Sequence, residues 1–414
     1  MKFSACLLPF LCGQLATASA APVRFTVQGG DVEQRHAIVT FQAPPGWQDV
    51  HAVTDGKSSE PLPLQVDADG QAVLVIPHVA AREEISFSPV PSPGNQNTPA
   101  AGFSVKKDNG LLQVSRQAAG KEQRIFGYQM EPGEVPPGVS KVFAHGAHLH
   151  PVYTPGGRLL TGNHPADHRW HRGIWMAWTK TEFDGAHPDF WNQGKSDIKG
   201  QDSGPLLGEV KFAKLVKMWA GPVQAGFVSQ HQFVDHSTGN ARTVLDETWE
   251  VRIHALPVGG QPAFVMDLVS TQTCASSVPL KLPRYHYGGL GVRGHAQWDP
   301  ADKVSMLTSN GDDRKKGDST KARWVSMGGE VDSQPASMGI LIHPDNFRFP
   351  QPLRLNPKNP QLCIAPSQDG DWAIEPGKPL VSRYRFVLTD GPADAALLES
   401  AWKAYASPLK VTFN

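Results

Sequence analysis

Histidine placement carries most of the chemistry that can be read from this sequence. Seven of its 16 histidines, His145, His148, His150, His164, His168, His171 and His187, fall between positions 145 and 187. Imidazole is the side chain most readily used for proton transfer or metal ligation near neutral pH. The densest run is His164-Pro165-Ala166-Asp167-His168-Arg169-Trp170-His171-Arg172-Gly173-Ile174-Trp175. Here Asp167 has the chemistry to orient an imidazole and stabilise its cation. His168 and His171 suit a general base and acid, and Arg172 suits a carboxylate or oxyanion. Trp170, Trp175, Trp178 and Trp191 offer flat apolar faces of the kind that stack on sugar rings, and equally the bulk of a core. His164, His168 and His171 are also ligand types for Zn, Cu or Fe. Their i, i+4, i+7 spacing gathers them on one face only in a helix, which Pro165 and the glycines oppose, so a loop would have to do it.

A second concentration is Arg284-Tyr285-His286-Tyr287-Gly288-Gly289-Leu290-Gly291-Val292-Arg293-Gly294. In an extended chain Tyr285 and Tyr287 face one way and Arg284 and His286 the other. Its glycines let backbone approach a ligand or bend a strand; they lack the strand-loop-helix setting of a nucleotide loop. A third piece, His343-Pro344-Asp345-Asn346-Phe347-Arg348-Phe349-Pro350, follows the apolar run 338–342 and so falls at a strand end, where His343, Asn346 and Arg348 have the polarity to line a pocket. Standard nucleophile and metal signatures, G-x-S-x-G, H-E-x-x-H and the P-loop, are absent.

The elements that must position these groups read as strands and turns. Gly (40) and Pro (36) are abundant, which breaks up long helices. Runs 111–115, 226–234, 245–253 and 263–271 are predicted strands. In the third of these Leu245, Glu247, Trp249, Val251 and Ile253 share one face, which sets a carboxylate, a further acid candidate, among apolar side chains. One helix is predicted between Asp394 and Pro408, where Leu397, Leu398, Ala401, Trp402 and Tyr405 recur at helical spacing. Residues 21–88 read as a small immunoglobulin-like β-sandwich, 89–100 as a Pro-rich linker, and 101–414 as a large β-sandwich domain holding the candidate site. The fold class is mainly β. Residues 1–20, a basic start, an apolar run and Ala18-Ser19-Ala20, read as a secretory signal peptide, which predicts a periplasmic or secreted protein.

Composition excludes several classes. With 39 Lys+Arg against 39 Asp+Glu the formal net charge is zero, a poor footprint for nucleic acid or anionic membrane. No apolar stretch reaches the length of a membrane span. Beyond the signal peptide only Cys274 and Cys363 remain, which permits one disulfide in an oxidising compartment and excludes a cysteine-based zinc site. No cofactor is legible.

The segments Asp167-His168-x-x-His171-Arg172-Gly173-Ile174-Trp175, Tyr287 to Arg293, and His343-Pro344-x-Asn346-x-Arg348-x-Pro350 together resemble a bacterial secreted family of uncharacterised function, often labelled methane oxygenase PmoA-like. The resemblance covers roughly residues 105–390. Trp170 departs from the pattern, standing where another histidine is expected. Particulate methane monooxygenase subunits are membrane proteins, so the label is a poor guide to this chain. The architecture implied is similar to the galactose-mutarotase-like supersandwich, a fold-level analogy. Three readings follow. The first is a carbohydrate-active hydrolase, lyase or epimerase. In it His168 or His171 moves a proton, Asp167 orients, His286 or Tyr285 is the partner, and Arg172, Tyr285, Arg293, His343, Asn346, Arg348 and Trp175 hold a sugar or other small polar substrate. The second is a metal enzyme using His164, His168 and His171. The third is a non-catalytic glycan-binding envelope protein.

Overall fold

A computed structural model describes residues 23–90, 102–196 and 203–413. The signal-peptide reading at 1–20 and nearly all of the Pro-rich stretch lie outside the described residues. The architecture is mainly β, built on sheets of seven, nine and eight strands.

The seven-stranded sheet comes first. Its strand Gln34–Gln42 lies at one end of the pairing order and Phe25–Gln28 near the other. Yet the rings of Phe25 and Phe41 meet at 4.9 Å. The sheet therefore folds over on itself, enclosing Phe25, Phe41, Trp47 and Phe87 in one core. Period-two patterning explains how: Gln34–Gln42 turns Ala37, Val39 and Phe41 inward and leaves Thr40 and Gln42 outside. The last strand, Lys410–Phe413, pairs antiparallel with Phe25–Gln28, Phe413 opposite Phe25.

The nine- and eight-stranded sheets pack face to face over the largest core. Each predicted strand of the large region falls inside an observed one. Strand Arg242–Val258 buries Leu245, Glu247, Trp249, Val251 and Ile253, while Thr248, Glu250 and Arg252 are half-buried. The predicted helix is Ala395–Ala406, capped by Asp394, whose carboxylate accepts from the backbone N–H groups of Ala396 and Leu397 at 2.9 and 3.0 Å. Its Leu398 fills the space above Gly339, where a Cβ would stand 2.2 Å from the leucine. A second, one-turn helix spans Arg314–Gly317.

The nine-stranded sheet has two occupied faces, and this positions the site. Strand Ile174–Ala177 sends Ile174 and Met176 into the intersheet core and Trp175 and Ala177 to the opposite face. Its neighbour Gly289–Arg293 sends Leu290 and Val292 inward and keeps Gly291 in register with Trp175. A Cβ on Gly291 would lie 2.5 Å from Trp191 and 2.7 Å from Trp175, so glycine there makes room for the indole pair. Among the described residues the cysteines are Cys274 and Cys363, and the two are not bonded to each other. Burial pushes the Cys363 thiol up to about 12.

Candidate active site

The histidine-rich run is a closed loop, not a helix. Asn163 and Arg172 form a β-bridge at its neck. Inside it the His168 N–H donates to the Pro165 carbonyl at 3.3 Å and the His171 N–H to the His168 carbonyl at 2.9 Å. Gly173 leaves the loop at φ 39°, where a Cβ would be 1.9 Å from the Leu149 carbonyl oxygen, so only glycine fits. Arg293, at the end of strand Gly289–Arg293, clasps the neck. Its N–H donates to Gly173 at 2.8 Å, and its carbonyl accepts from the Gly162 N–H at 2.9 Å.

Asp167 is the hub. Its Oδ2 accepts from His168 Nδ1 at 2.9 Å and from Asn359 Nδ2 at 2.5 Å. Its two oxygens take a forked pair of bonds from Arg293, 2.9 and 3.3 Å. Arg293 also pairs with Asp299. Partial burial raises the Asp167 pKa, but the hydrogen bond from His168 and the charge and hydrogen bonding of Arg293 outweigh it, holding the carboxyl well below the usual range. A carboxylate only accepts, so His168 Nδ1 carries a hydrogen. Its Nε2 has no partner among the described residues, and the ring is partly open to solvent.

His171 lies behind. Its ring stacks on that of His168 with centroids 4.5 Å apart and planes 12° apart. Its Nδ1 accepts from Arg293 Nη1 at 3.3 Å, which leaves its proton on Nε2. Burial, then the charges of His168 and Arg293, push its pKa well down and keep it neutral. A second stacked pair, His145 over His164 at 4.6 Å, lies deeper in the fold. His145 is flanked by the side-chain amides of Gln193 and Asn163, and His164 Nδ1 donates to the Arg169 carbonyl at 2.8 Å. Arg172 is fully buried, and its charge acts on His145, His148, His164 and His171.

Several residues expected at the site lie elsewhere. Tyr285 and His286 precede the far end of the strand that terminates in Arg293, beyond a span of ~13 Å for its five residues. The His286 carbonyl accepts from Gln368 Nε2, and its ring is 4.5 Å from that of Tyr285. His286 is therefore not a partner of His168. Arg348 spends its guanidinium on the carbonyls of Pro366, Gly370 and Asp371. Asn346 bonds both backbone polar groups of Arg383, at 2.8 and 2.9 Å, and so fixes a turn. The His343 ring packs 5.0 Å from Tyr405, on the side of the C-terminal helix. The second segment's start and the third thus meet at the turn Pro366–Asp369, apart from Asp167. Trp170, Trp175, Trp178 and Trp191 are all buried, so core packing, not sugar stacking, is their role. His164 joins His145 rather than His168 and His171, and among the described residues no group of His, Cys, Asp or Glu is arranged to hold a metal.

Glu247 is walled into the intersheet core. It accepts from His231 Nδ1 at 2.9 Å, Ser270 at 2.6 Å and Gln272 at 2.9 Å. His231 Nε2 in turn accepts from Tyr128 at 2.6 Å. The network is satisfied, remote from solvent, and structural. Sequence reasoning missed Asn359 and Asp299. Asn359 sits in Pro357-Lys358-Asn359-Pro360, which reads only as a turn.

The sequence matches the family described as "Family of unknown function (DUF6807)" over residues 116–403. The chain belongs to this family. The DUF6807 span takes in the histidine loop, Arg293, Asp299 and Asn359, and leaves out the N-terminal strands. Its description carries no activity and no methane-oxygenase label. No curated protein matches the sequence. Among solved structures, the chain is similar to a protein in the glycosyl hydrolase family 38 from Enterococcus faecalis, with 7% identity, 95% of this chain and 47% of that one covered, and a TM-score of 0.41. It is also similar to an alpha-mannosidase from Enterococcus faecalis V583, with 10% identity, 95% and 46% coverage, and a TM-score of 0.40. The chain spans under half the length of these two proteins. A likeness of this degree says nothing of what the chain does. Among the described residues no helix is long and apolar enough to cross a membrane.

Proposed function

We propose that this is an exported carbohydrate-active enzyme in which His168 is the general acid/base. The supporting observation is the Asp167–His168 hydrogen bond, with Asp167 held by Arg293 and Asn359 and with His168 Nε2 open. That order (orienting carboxylate, imidazole, free nitrogen) is what proton transfer to or from a bound substrate requires. His168 Nε2 takes a proton from a sugar hydroxyl or carbon, and the Asp167 carboxylate offsets the imidazolium charge that results. The surrounding polar groups of Asp299 and Asn359 suit a hydroxyl-rich ligand. His171, held neutral, supports the His168 ring by stacking.

The experiment is turnover of a panel of glycans and glycosides by wild type, His168→Ala and Asp167→Asn. Both variants are expected to lose about 10²–10⁴-fold in kcat, the usual worth of a positioned acid/base. Full activity in folded His168→Ala would end this reading. Non-catalytic glycan binding is the second reading, favoured by an aromatic pair at the surface: exposed Phe347 stands 4.8 Å from half-buried Trp372, beside the turn that also anchors Tyr285. Glycan retention without turnover, lost in Trp372→Ala and unchanged in His168→Ala, would favour it.

A further inference from the structure

The two buried arginines of the site are treated very differently by the protein. Arg293 reaches Asp167, Asp299 and His171. Arg172 is 0% exposed, and its Nε, Nη1 and Nη2 meet no hydrogen-bond partner among the described residues. Its neighbours are imidazoles: Arg172 follows His171 in the chain, its bridge to Asn163 sets it beside His164, and the His145 ring lies 4.6 Å from that of His164 and 5.1 Å from that of His148. Glu209 acts on Arg172 electrostatically, but this carboxylate takes its bond from His236 Nε2, at 3.0 Å. A buried guanidinium with no acceptor is among the least favourable arrangements in a protein interior. The fork has five N–H donors in one plane, the geometry that matches an oxyanion.

We propose that Arg172, with His145, His148, His164 and His171 around it, forms an enclosed binding site for a small oxyanion. The ligand chemistry is that of a carboxylate or inorganic phosphate. Such an anion would supply the missing acceptors and screen the guanidinium charge from the four rings. This site takes in the buried ring of His171 and does not use the open nitrogen of His168. Its assay is binding and needs no turnover, so it stands or falls independently of His168 as an acid/base.

The test has two measurements on the full chain. First, protein purified without phosphate or carboxylate buffers is denatured, and the released anions are quantified by ion chromatography. Second, thermal unfolding is followed while inorganic phosphate, acetate or chloride is added. Expected for wild type is either close to one equivalent of released oxyanion or a saturable rise in Tm. At a hundredfold excess over Kd that rise is roughly 3–6 °C. A response to phosphate alone assigns an inorganic ligand, and one to acetate a carboxylate. Arg172→Met should abolish both signals. Should Arg172→Met fail to fold, Arg172→Lys keeps the charge without the planar fork and should bind about tenfold or more weakly. Neither signal in wild type, equal signals in Arg172→Met, unchanged affinity in Arg172→Lys, or a chloride effect as large as that of the oxyanions would each overturn the proposal.

Discussion

The asymmetry around Arg293 makes a quantitative prediction. Its guanidinium side chain is 1% exposed, while those of its two carboxylate partners, Asp167 and Asp299, are 41% and 40% exposed. Removing one carboxylate leaves Arg293 paired with the other. A charge-assisted hydrogen bond is worth about 1.5–3 kcal/mol, and solvent at the exposed end reduces this, so Asp167→Asn and Asp299→Asn should each cost about 1–2 kcal/mol. The double variant is different in kind, because it strands a buried cation with only neutral groups around it. Losing the last partner of a buried charge costs about 3–5 kcal/mol, so the double variant should exceed the sum of the singles by about 1–3 kcal/mol. Arg293→Met reverses the geometry. It leaves two carboxylates that can each hydrate, and it should be less destabilising than the double variant. Urea unfolding followed by tryptophan fluorescence gives the four free energies. Additivity within about 0.5 kcal/mol would refute the reasoning, since it would mean that the two carboxylates act on Arg293 independently.

Other predictions follow from burial. Burial lowers the pKa of His145, His148 and His171 well below 6.5 and brings His150 and His254 to about 4. Folded pKa values below the unfolded value mean that the unfolded chain binds more protons below pH 6.5. The stability contributed by these neutral rings is therefore complete above pH 6.5 and is lost as pH falls below it, by up to ~1.4 kcal/mol per pH unit for each ring. The urea midpoint measured from pH 7.5 to 5.0 should drop steeply below 6.5, and a flat profile would contradict the burial of these rings. Gly291→Ala should destabilise by about 1–3 kcal/mol through collision with Trp175 and Trp191, read as a lowered Tm. Glu247→Ala should cost about 3–5 kcal/mol, because it leaves His231, Ser270 and Gln272 without their shared acceptor in the core; retained wild-type stability would mean that the network is not closed.

The strands and the C-terminal helix were legible because their patterns are local. Alternation over 245–253 announced both the buried face and the carboxylate on it. The meaning of that carboxylate was not legible, because His231 reaches Glu247 only through the register of neighbouring strands. Asp167 and His168 are adjacent, so their pairing could be read directly. The Arg293 contact spans 126 residues and that of Asn359 spans 192, and neither leaves a local trace. The residues that the first reading set around one substrate do not all meet, for a geometric reason. Strand Gly289–Arg293 separates Tyr285 and His286 from Arg293, so one continuous motif serves two places. The tryptophans stayed open between the two roles because an indole in a core and one on a binding face have the same composition and spacing.

The pairing of Lys410–Phe413 with Phe25–Gln28 has a consequence for assembly. The N-terminal sheet is completed by the last strand described, so it cannot close during synthesis of its own residues. Until then Phe25, Phe41 and Trp47 lack the ring of Phe413 that each contacts in the finished fold. Strand Phe25–Gln28 is thus made long before the strand that seals it, and contacts of such long sequence separation form slowly. Its closure reports that everything between has arrived. A chain cut short in the final turn of the helix would leave an open aromatic edge at the opposite end of the sequence, where a chaperone or protease could recognise the chain as unfinished.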